Sequence, residues 1–324
     1  MEYKALHSPT CCLYKGEIYV AFYAGERECV NQRVFIFKKQ KGEFVLVKKL
    51  PIGSGNPALM VMHDNLFCAY SVFTKPMINN VFDLWQTTYT SVEHVASGDK
   101  YVLSSYCCPR NNPYVLSNGD TLLPCYDENI ERGMLFHISK NNVDRAVCMF
   151  NYPVIQPSIF KIEDRLHLLF RNFNRAIRNN PEERFTLSCQ FGFSPARNKM
   201  VFSDLRKTEI PNHNESVATV SDSKGIPLVA YNAVQGRREL SLGFLKKNEE
   251  TGVISADQIL QLNEDEKGSY PNLCYNKAGQ LIAVFTSYET GINSGSRICI
   301  AKIAKNYGKV LSRHYIDGSM LNDA

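Results

Sequence analysis

One pattern of apolar and polar positions recurs along the chain. A polar segment, usually ending in proline, is followed by an apolar run, a turn, and a second apolar run that ends in polar or charged residues. Six copies begin at His7-Ser8-Pro9, Asn56-Pro57, Asn112-Pro113, Gln156-Pro157, Asn214-Glu215 and Tyr270-Pro271. A repeat of roughly fifty residues is the size of one blade of a β-propeller.

Each unit contains a predicted β-hairpin. In the first unit, Lys15-Gly16 separates two apolar runs, and in the third the turn is Ser117-Asn118-Gly119-Asp120. Asn-Gly between apolar runs is a strong hairpin signal. One or two further strand-like runs follow each hairpin. The pattern predicts an all-β fold, a six-bladed β-propeller of four-stranded antiparallel blades, with residues 1–324 as a single domain. A pair of β-sandwiches is the alternative. Short helices are predicted only at 204–207 and 257–260.

Composition narrows the classes of protein. Hydrophobic residues make up 44% of the 324 residues and charged residues 21%, so the chain can bury a core and is not a disordered class. The net charge of +5 comes from mixed signs without a basic stripe, so no nucleic-acid partner is expected. The apolar runs are strand-sized, too short to cross a membrane.

The amino terminus and the cysteines predict a cytoplasmic location. Glu2 stands where a secretory signal would be basic, and no apolar segment follows it. The 11 cysteines are odd in number and scattered, as expected for free thiols in a reducing compartment. Their spacing does not suit a structural zinc site, so we expect neither a metal nor a cofactor.

The strand ends supply the candidate binding residues. In a propeller the loops beside the innermost strands surround the central channel, so polar side chains from different blades converge there and form a pocket. Arginine binds carboxylates through paired hydrogen bonds, and Arg27, Arg171 and one of the adjacent Arg237 and Arg238 come from three units. The expected substrate-binding residues, with Arg238 taken from that pair, are Arg27, Asn56, Gln156, Arg171, Asn212, Asn214, Tyr231 and Arg238.

The candidate catalytic residues are carboxylates and phenols. Glu28 and Glu128 follow inner hairpins, and Glu215 stands at the start of the fifth unit. A carboxyl group whose pKa is raised by burial can serve as an acid or base. Tyr126 and Tyr270 lie beside the same predicted funnel. The ligand expected for such a set is an acidic carbohydrate, and the sequence does not indicate an oligomeric state.

Several short motifs in the same order resemble those of the predicted-neuraminidase family of bacterial BNR-repeat, sialidase-like proteins, over residues 7–286. The matching segments include His7-Ser8-Pro9-Thr10, residues 25–28, Asn56-Pro57, residues 116–119, residues 155–158 through Arg171, residues 210–214 and Ser269-Tyr270-Pro271. The resemblance implies a six-bladed propeller, an arginine cluster that holds the sugar carboxylate, a tyrosine nucleophile assisted by glutamate, and an aspartate acid. The Asp-box turn of that family is absent.

Three functions remain open on the sequence alone. The leading one is a sialidase-like glycoside hydrolase that acts on a terminal acidic or polar sugar. The second is a propeller that binds a carbohydrate or a protein without catalysis. The third is a polysaccharide lyase of the same fold, in which His7, His213 or Tyr231 would abstract a proton beside an arginine-bound uronate.

Overall fold

The predicted fold class is confirmed: the chain is an all-β, six-bladed propeller. The computed structural model describes residues 2–74, 88–103, 106–139, 144–173, 180–194, 197 and 199–321. Within these ranges the helical segments are short 3₁₀ turns at Pro181–Glu183, Ile292–Ser294 and Gly318–Leu321. No helix in the described ranges is long and apolar enough to span a bilayer.

Consecutive antiparallel strands form the blades. Blade 1 contains β1 (Ala5–Tyr14), β2 (Glu17–Gly25), β3 (Arg33–Gln40) and β4 (Glu43–Lys49), and blade 2 contains β5 (Ser54–Met62), β6 (Asn65–Phe73), β7 (Thr88–His94) and β8 (Lys100–Val102). Blade 5 contains β19 (Ala218–Ser221), β20 (Pro227–Val234), β21 (Glu239–Lys247) and β22 (Ile254–Gln261), and blade 6 contains β23 (Lys267–Tyr275), β24 (Leu281–Tyr288), β25 (Arg297–Ile303) and β26 (Val310–Ile316).

Blades 3 and 4 are less regular. Blade 3 contains β9 (Cys108–Pro109), β10 (Tyr114–Val115), β11 (Thr121–Asp127), β12 (Arg132–Ile138) and β13 (Asp144–Met149), and blade 4 contains β14 (Val154–Ile162), β15 (Arg165–Asn172), β16 (Phe185–Ser194), β17 (Lys199–Phe202) and β18 (Arg206–Pro211). Both β9 and β10 pair with β11, so the inner strand of blade 3 is interrupted. One parallel pair, Arg132 with Val154, joins the two blades into one sheet.

The predicted short helices are wrong. Residues 206–207 lie in β18 and residues 257–260 lie in β22, each at the outer side of its blade. Such a strand keeps one face in solvent, so it carries charged residues that locally mimic a helix. Pairing with the neighbouring strand decides its conformation.

The recurrent proline lies at a bulge inside the inner strand. The register between the first two strands shifts after His7, Gly55, Ile155 and Ser269, in blades 1, 2, 4 and 6. In each case the next residue has a left-handed backbone and precedes proline: Ser8 (φ 56°), Asn56 (φ 37°), Gln156 (φ 53°) and Tyr270 (φ 52°). Asn111 (φ 69°) and Asn214 (φ 71°) have the same conformation in the other two blades. Bulges redirect side chains and need no hydrogen-bond donor from proline.

Apolar layers between neighbouring blades form the core, and one of them closes the ring. Phe22 and Phe35 of blade 1 pack in the same buried cluster as Val284 and Ile300 of blade 6. Because every blade consists of consecutive strands, no strand is shared between the first blade and the last in the described chain. Side-chain packing joins them, together with a main-chain hydrogen bond from the Ser296 amide to the Lys4 carbonyl (2.9 Å). The Ser296 hydroxyl accepts a hydrogen bond from the Leu6 amide (2.8 Å) and donates one to the Leu6 carbonyl (2.8 Å).

We predict that Ser296→Ala destabilises the protein by about 1–3 kcal/mol, because both backbone groups of Leu6 lose their buried partner. Urea unfolding monitored by circular dichroism measures this. Ser294→Ala, an exposed serine of the same loop, serves as the control. Equal unfolding midpoints for the two variants would show that the Ser296 bridge does not stabilise ring closure.

Candidate active site

Arg110 lies at the axis of the propeller. It follows β9 in the interrupted inner strand of blade 3 and is completely buried. Its Nη1 donates to the Pro9 carbonyl (3.0 Å), its Nη2 to the Pro271 carbonyl (3.1 Å), and its Nε to the Ser216 hydroxyl (3.4 Å). One guanidinium group therefore links blade 3 to the inner segments of blades 1, 5 and 6.

Three arginines surround the Tyr270 side chain. The Cζ atoms of Arg110 and Arg237 each lie 5.3 Å from the centre of the Tyr270 ring. Arg171 Nη1 lies 3.5 Å from the Tyr270 hydroxyl oxygen, to which it donates a long hydrogen bond. A cation over an aromatic face is attracted by the ring quadrupole. The phenol group thus lies in a strongly positive environment.

Amide oxygens orient Arg171. Its Nε donates to Asn214 Oδ1 (2.9 Å) and its Nη1 to Gln156 Oε1 (3.2 Å), and both of these residues have a left-handed backbone. Asn212 supports the same segment, because its Nδ2 donates to the Glu215 carbonyl (2.8 Å). Neutral amides fix the guanidinium without neutralising it. The positive charge of Arg171 therefore remains available to an anion.

Arg237 is the second arginine of the cluster that can face a ligand. Its Nη1 donates to the Tyr288 hydroxyl (3.3 Å) of blade 6. Burial opposes its charge, but attraction to Tyr270, Tyr288 and Glu215 holds the pKa of Arg237 above its ordinary value. Across the described ranges no carboxylate forms an ion pair with Arg171 or Arg237 within 4.0 Å.

Glu215 is a buried carboxyl group beside these arginines. Its side chain is buried, and its Oε2 atom makes no hydrogen bond. Burial raises the pKa of Glu215, although Arg237 and Arg171 act in the opposite direction. A carboxyl group that holds its proton to higher pH can donate it to a leaving group.

His7 packs against Tyr270 from blade 1. The centres of the two rings are 4.3 Å apart, and the Tyr23 ring lies on His7 at 5.5 Å. His7 Nδ1 is 3.1 Å from the Thr286 hydroxyl oxygen. Burial, followed by repulsion from Arg237, Arg110 and Arg171, holds the pKa of His7 well below its ordinary value. This histidine is neutral at pH 7.

The carboxylates predicted as catalytic lie on the side of blades 1 to 3. The Tyr23 hydroxyl donates to Glu28 Oε1 (3.2 Å). Glu28 and Glu128 both act on Cys29, whose pKa is raised first by burial and then by these two charges. Asn56 Nδ2 donates to the Tyr126 hydroxyl oxygen (2.9 Å). Glu28 and Glu128 therefore lie on a different side of the channel from Arg171 and Arg237, whereas Glu215 lies beside those arginines.

The structure brings together most of the residues predicted for the funnel, but not all. Two groups of hydrogen-bonded residues form. One contains Asn56 and Tyr126. The other contains Arg171 with its partners Gln156, Asn214 and Tyr270. Three predicted binding residues lie elsewhere: Arg27 and Arg238 are exposed, and Tyr231 packs in the apolar cluster between blades 4 and 5. Both arginines lie in the turn between β20 and β21, and it is Arg237, not Arg238, whose guanidinium lies over the Tyr270 ring.

The sequence analysis missed Arg110 as a site residue, whereas it named Glu215 as a further possible acid or base. Arg110 stands just before the segment Asn112-Pro113, which was taken as the start of the third unit, whereas the left-handed residue is Asn111. Asn111 Nδ2 donates to the carbonyls of Gln156 (3.0 Å) and Pro157 (2.9 Å) of the neighbouring blade 4. Aligning the six left-handed positions, instead of the prolines, places Arg110 directly before the bulge position.

The opposite end of the channel is apolar. A cavity of about 330 Å³ lies there, and all six blades line it. Its lining residues follow the left-handed position of each inner segment, and they include Leu59, Ile159 and the free cysteines Cys11, Cys12 and Cys274. Arg110 binds the carbonyls of Pro9 and Pro271, between the Tyr270 cluster and this cavity. It therefore separates a polar end of the channel from an apolar end.

A comparison with models of protein families identifies the family of this chain. The family model described as "BNR repeat-like domain" matches residues 32–282, more than half of the chain, and the chain belongs to this family. No curated protein sequence matches the chain.

Solved structures of low sequence identity share the fold. Trypanosoma rangeli sialidase is 11% identical, with a TM-score of 0.65, and the match covers 92% of this chain and 55% of the sialidase. A leech intramolecular trans-sialidase is 10% identical, with a TM-score of 0.65 and coverage of 99% and 69%. A Dyadobacter fermentans protein of unknown function is 15% identical, with a TM-score of 0.66 and coverage of 94% and 96%. The chain thus spans about half of the T. rangeli sialidase.

We predict that His7 makes folding stability depend on pH. In the folded protein His7 stays neutral, whereas in the unfolded chain it takes up a proton near its ordinary pKa of 6.5. The unfolded state therefore binds more protons than the folded state below that pH. Wild type should lose up to about 1.4 kcal/mol per pH unit relative to His7→Gln as the pH falls below 6.5. Urea unfolding at pH 7.5, 6 and 5 measures this. Parallel pH profiles of the two proteins would contradict it.

Proposed function

We propose that this chain is a sialidase-like glycoside hydrolase that acts on a terminal acidic sugar. The observation that carries the proposal is the convergence of Arg110, Arg171 and Arg237 on the Tyr270 side chain. Arg171 and Arg237 are held by neutral groups and carry no paired carboxylate in the described chain. A site of this kind attracts an anionic group and fixes its orientation.

The roles follow from position and charge. Arg171 and Arg237 hold the carboxylate of the sugar, which places its anomeric carbon over Tyr270. Tyr270 is the nucleophile, the exception that sialidases make to the use of two carboxylates in glycoside hydrolysis. The Glu215 carboxylate accepts the proton of the Tyr270 hydroxyl as the phenol oxygen bonds to the anomeric carbon and the glycosidic bond breaks. Burial, which raises the pKa of Glu215, makes it a stronger base. Arg27 and Arg238, at the exposed rim, add long-range attraction.

In this proposal, the acid that protonates the leaving group comes from the other side of the channel. Glu28 and Glu128 are the acid candidates there, and Tyr126 lies next to them under the electrostatic influence of Glu128. The other predicted polar residues act on the arginine side: Gln156 and Asn214 orient Arg171, and Asn212 holds the Glu215 segment.

The fold supports a carbohydrate ligand. The T. rangeli sialidase of the same fold has been solved in complex with sialic acid. We therefore take a sialic acid or a related acidic sugar as the first substrate class to test. The alternative of a propeller that binds such a sugar without turning it over uses the same arginines.

A lyase is the second candidate because His7 lies against Tyr270. A neutral histidine beside a phenol and a set of arginines is suited to abstract the proton next to a uronate carboxylate. The other bases considered for this reaction are less well placed. Tyr231 lies in the apolar cluster between blades 4 and 5. Within the described part of the chain, His213 makes neither a ring contact nor a hydrogen bond with Tyr270.

We predict that purified protein releases the fluorophore from an acidic fluorogenic glycoside, with a sialoside as the first of a panel. Arg171→Ala and Arg237→Ala should each lower kcat/KM by about 10- to 100-fold, because each removes a charge-assisted hydrogen bond to the carboxylate. Arg27→Ala and Arg238→Ala should each cost less than about fivefold, because these groups are exposed.

Arg206→Ala, at a distant exposed arginine, is the control for the loss of a positive charge. Binding of the sugar without turnover would identify the non-catalytic propeller. An ultraviolet-absorbing unsaturated product from a uronate polymer would identify the lyase. Activity that is insensitive to both Arg171→Ala and Arg237→Ala would contradict the proposed binding mode.

We predict that Glu215→Gln lowers kcat by about 10²- to 10⁴-fold, the usual contribution of a positioned acid or base. KM should change little, because the arginines still hold the sugar. Glu209→Gln, an exposed carboxylate of the preceding strand, is the matched control. Equal kcat values for the two variants, measured on the best substrate of the panel, would remove Glu215 from the mechanism.

A further inference from the structure

Arg110 contacts the ring of Tyr270 without being able to contact a sugar. Its side chain has no exposed surface, and its Cζ lies 5.3 Å from the centre of the ring. Arg237 lies at the same distance from that centre and is the arginine whose charge remains available on the ligand side. Whatever Arg110 contributes to a reaction, it contributes through Tyr270.

The charge of Arg110 is not needed to join the blades. Its hydrogen-bond partners are the carbonyls of Pro9 and Pro271 and the hydroxyl of Ser216, which a neutral donor could also satisfy. A buried charge is costly unless it is paired, and no carboxylate pairs with Arg110 in the described chain. The carbonyl oxygens of Pro9 and Pro271 supply the nearest negative partial charges, and the aromatic face of Tyr270 adds a cation–π contact.

Electrostatics couple the two groups. Burial lowers the pKa of Arg110 to about 10, and attraction to Tyr270 is the largest of the opposing effects, ahead of Tyr126 and Tyr23. A positive charge 5.3 Å from the ring centre attracts the negative charge that develops on the phenol oxygen when Tyr270 acts as a nucleophile. At neutral pH Arg110 carries its charge.

From this geometry we infer that Arg110 is a positioning residue for Tyr270. It holds the ring from the closed side of the channel and favours negative charge on the phenol oxygen while the substrate lies on the open side. The inference rests on the proposed role of Tyr270 as nucleophile. The other ionisable groups that face Tyr270 from the surrounding elements are His7, Tyr23, Tyr126, Arg171 and Arg237, and Glu215 acts on the last of these.

Two variants separate charge from anchoring. Arg110→Gln keeps a donor for the carbonyls and loses the charge, whereas Arg110→Lys keeps the charge and loses the three-way attachment. On the best glycoside of the panel, Arg110→Gln should lower kcat by about tenfold or more with a KM within about threefold of wild type. Arg110→Lys should recover part of kcat. Equal kcat for wild type and a folded Arg110→Gln would overturn the inference.

A second measurement does not depend on turnover. The protein is labelled with 3-fluorotyrosine, and the ¹⁹F resonance of Tyr270 is identified by its loss in Tyr270→Phe. At neutral pH the resonance should be single in wild type, and should shift in Arg110→Gln and broaden in Arg110→Lys. An unchanged resonance in both folded variants would overturn the inference.

The two measurements distinguish failure of the inference from failure of the proposed function. If wild type turns over no glycoside, the hydrolase proposal fails and the ¹⁹F resonance alone decides the role of Arg110. If Arg110→Gln does not fold, as judged by near-ultraviolet circular dichroism, Arg110→Lys decides it in both measurements. In that case, an Arg110→Lys variant with the kcat of wild type and an unchanged Tyr270 resonance would overturn the inference.

Discussion

A single buried guanidinium organises the centre of this propeller. Arg110 is fully buried and bonds to the inner segments of three other blades. It lies where the inner strand of blade 3 is broken between β9 and β10. The Arg110 backbone stays on β11, where its amide donates to the Pro124 carbonyl (3.1 Å), so it is the long side chain that crosses to the other blades. The polar and apolar ends of the channel are separated as a result.

The repeated bulge explains why polar side chains from different blades meet. A left-handed residue occurs at the same point of all six blades, and side chains at those points hold the cluster together: Asn56 binds Tyr126, and Gln156 and Asn214 bind Arg171. A left-handed conformation is unfavourable for residues other than glycine, asparagine and aspartate. The bulge thus places Tyr270 in the channel at a conformational cost.

Much of the fold was predictable because apolar alternation and turn residues are local signals. The hairpin of β1 and β2 around Lys15-Gly16 lies where the pattern predicts it. The errors came where tertiary pairing overrides local pattern, as in β22, whose polar residues suggest a helix. Blade 3 was misaligned by one position because Asn112-Pro113 imitates the Pro-containing bulge of the other units.

The site was less predictable than the fold. Arg171 and Tyr270 lie at positions fixed by the repeat, so sequence spacing identifies them. The choice between Arg237 and Arg238 depends on a turn whose exact geometry local sequence does not determine, and Arg237 has a left-handed backbone there (φ 63°). Burial of Glu215 and Arg110 depends on packing among several blades. No short-range pattern encodes that packing.

The most direct test of the anion site over Tyr270 is a crystal structure of the protein grown with sialic acid. The account predicts the carboxylate of the sugar within about 2.7–2.9 Å of guanidinium nitrogens of both Arg171 and Arg237, with the ring of the sugar facing the Tyr270 hydroxyl. A sugar bound only at the exposed rim, or in the apolar cavity at the other end of the channel, would contradict it.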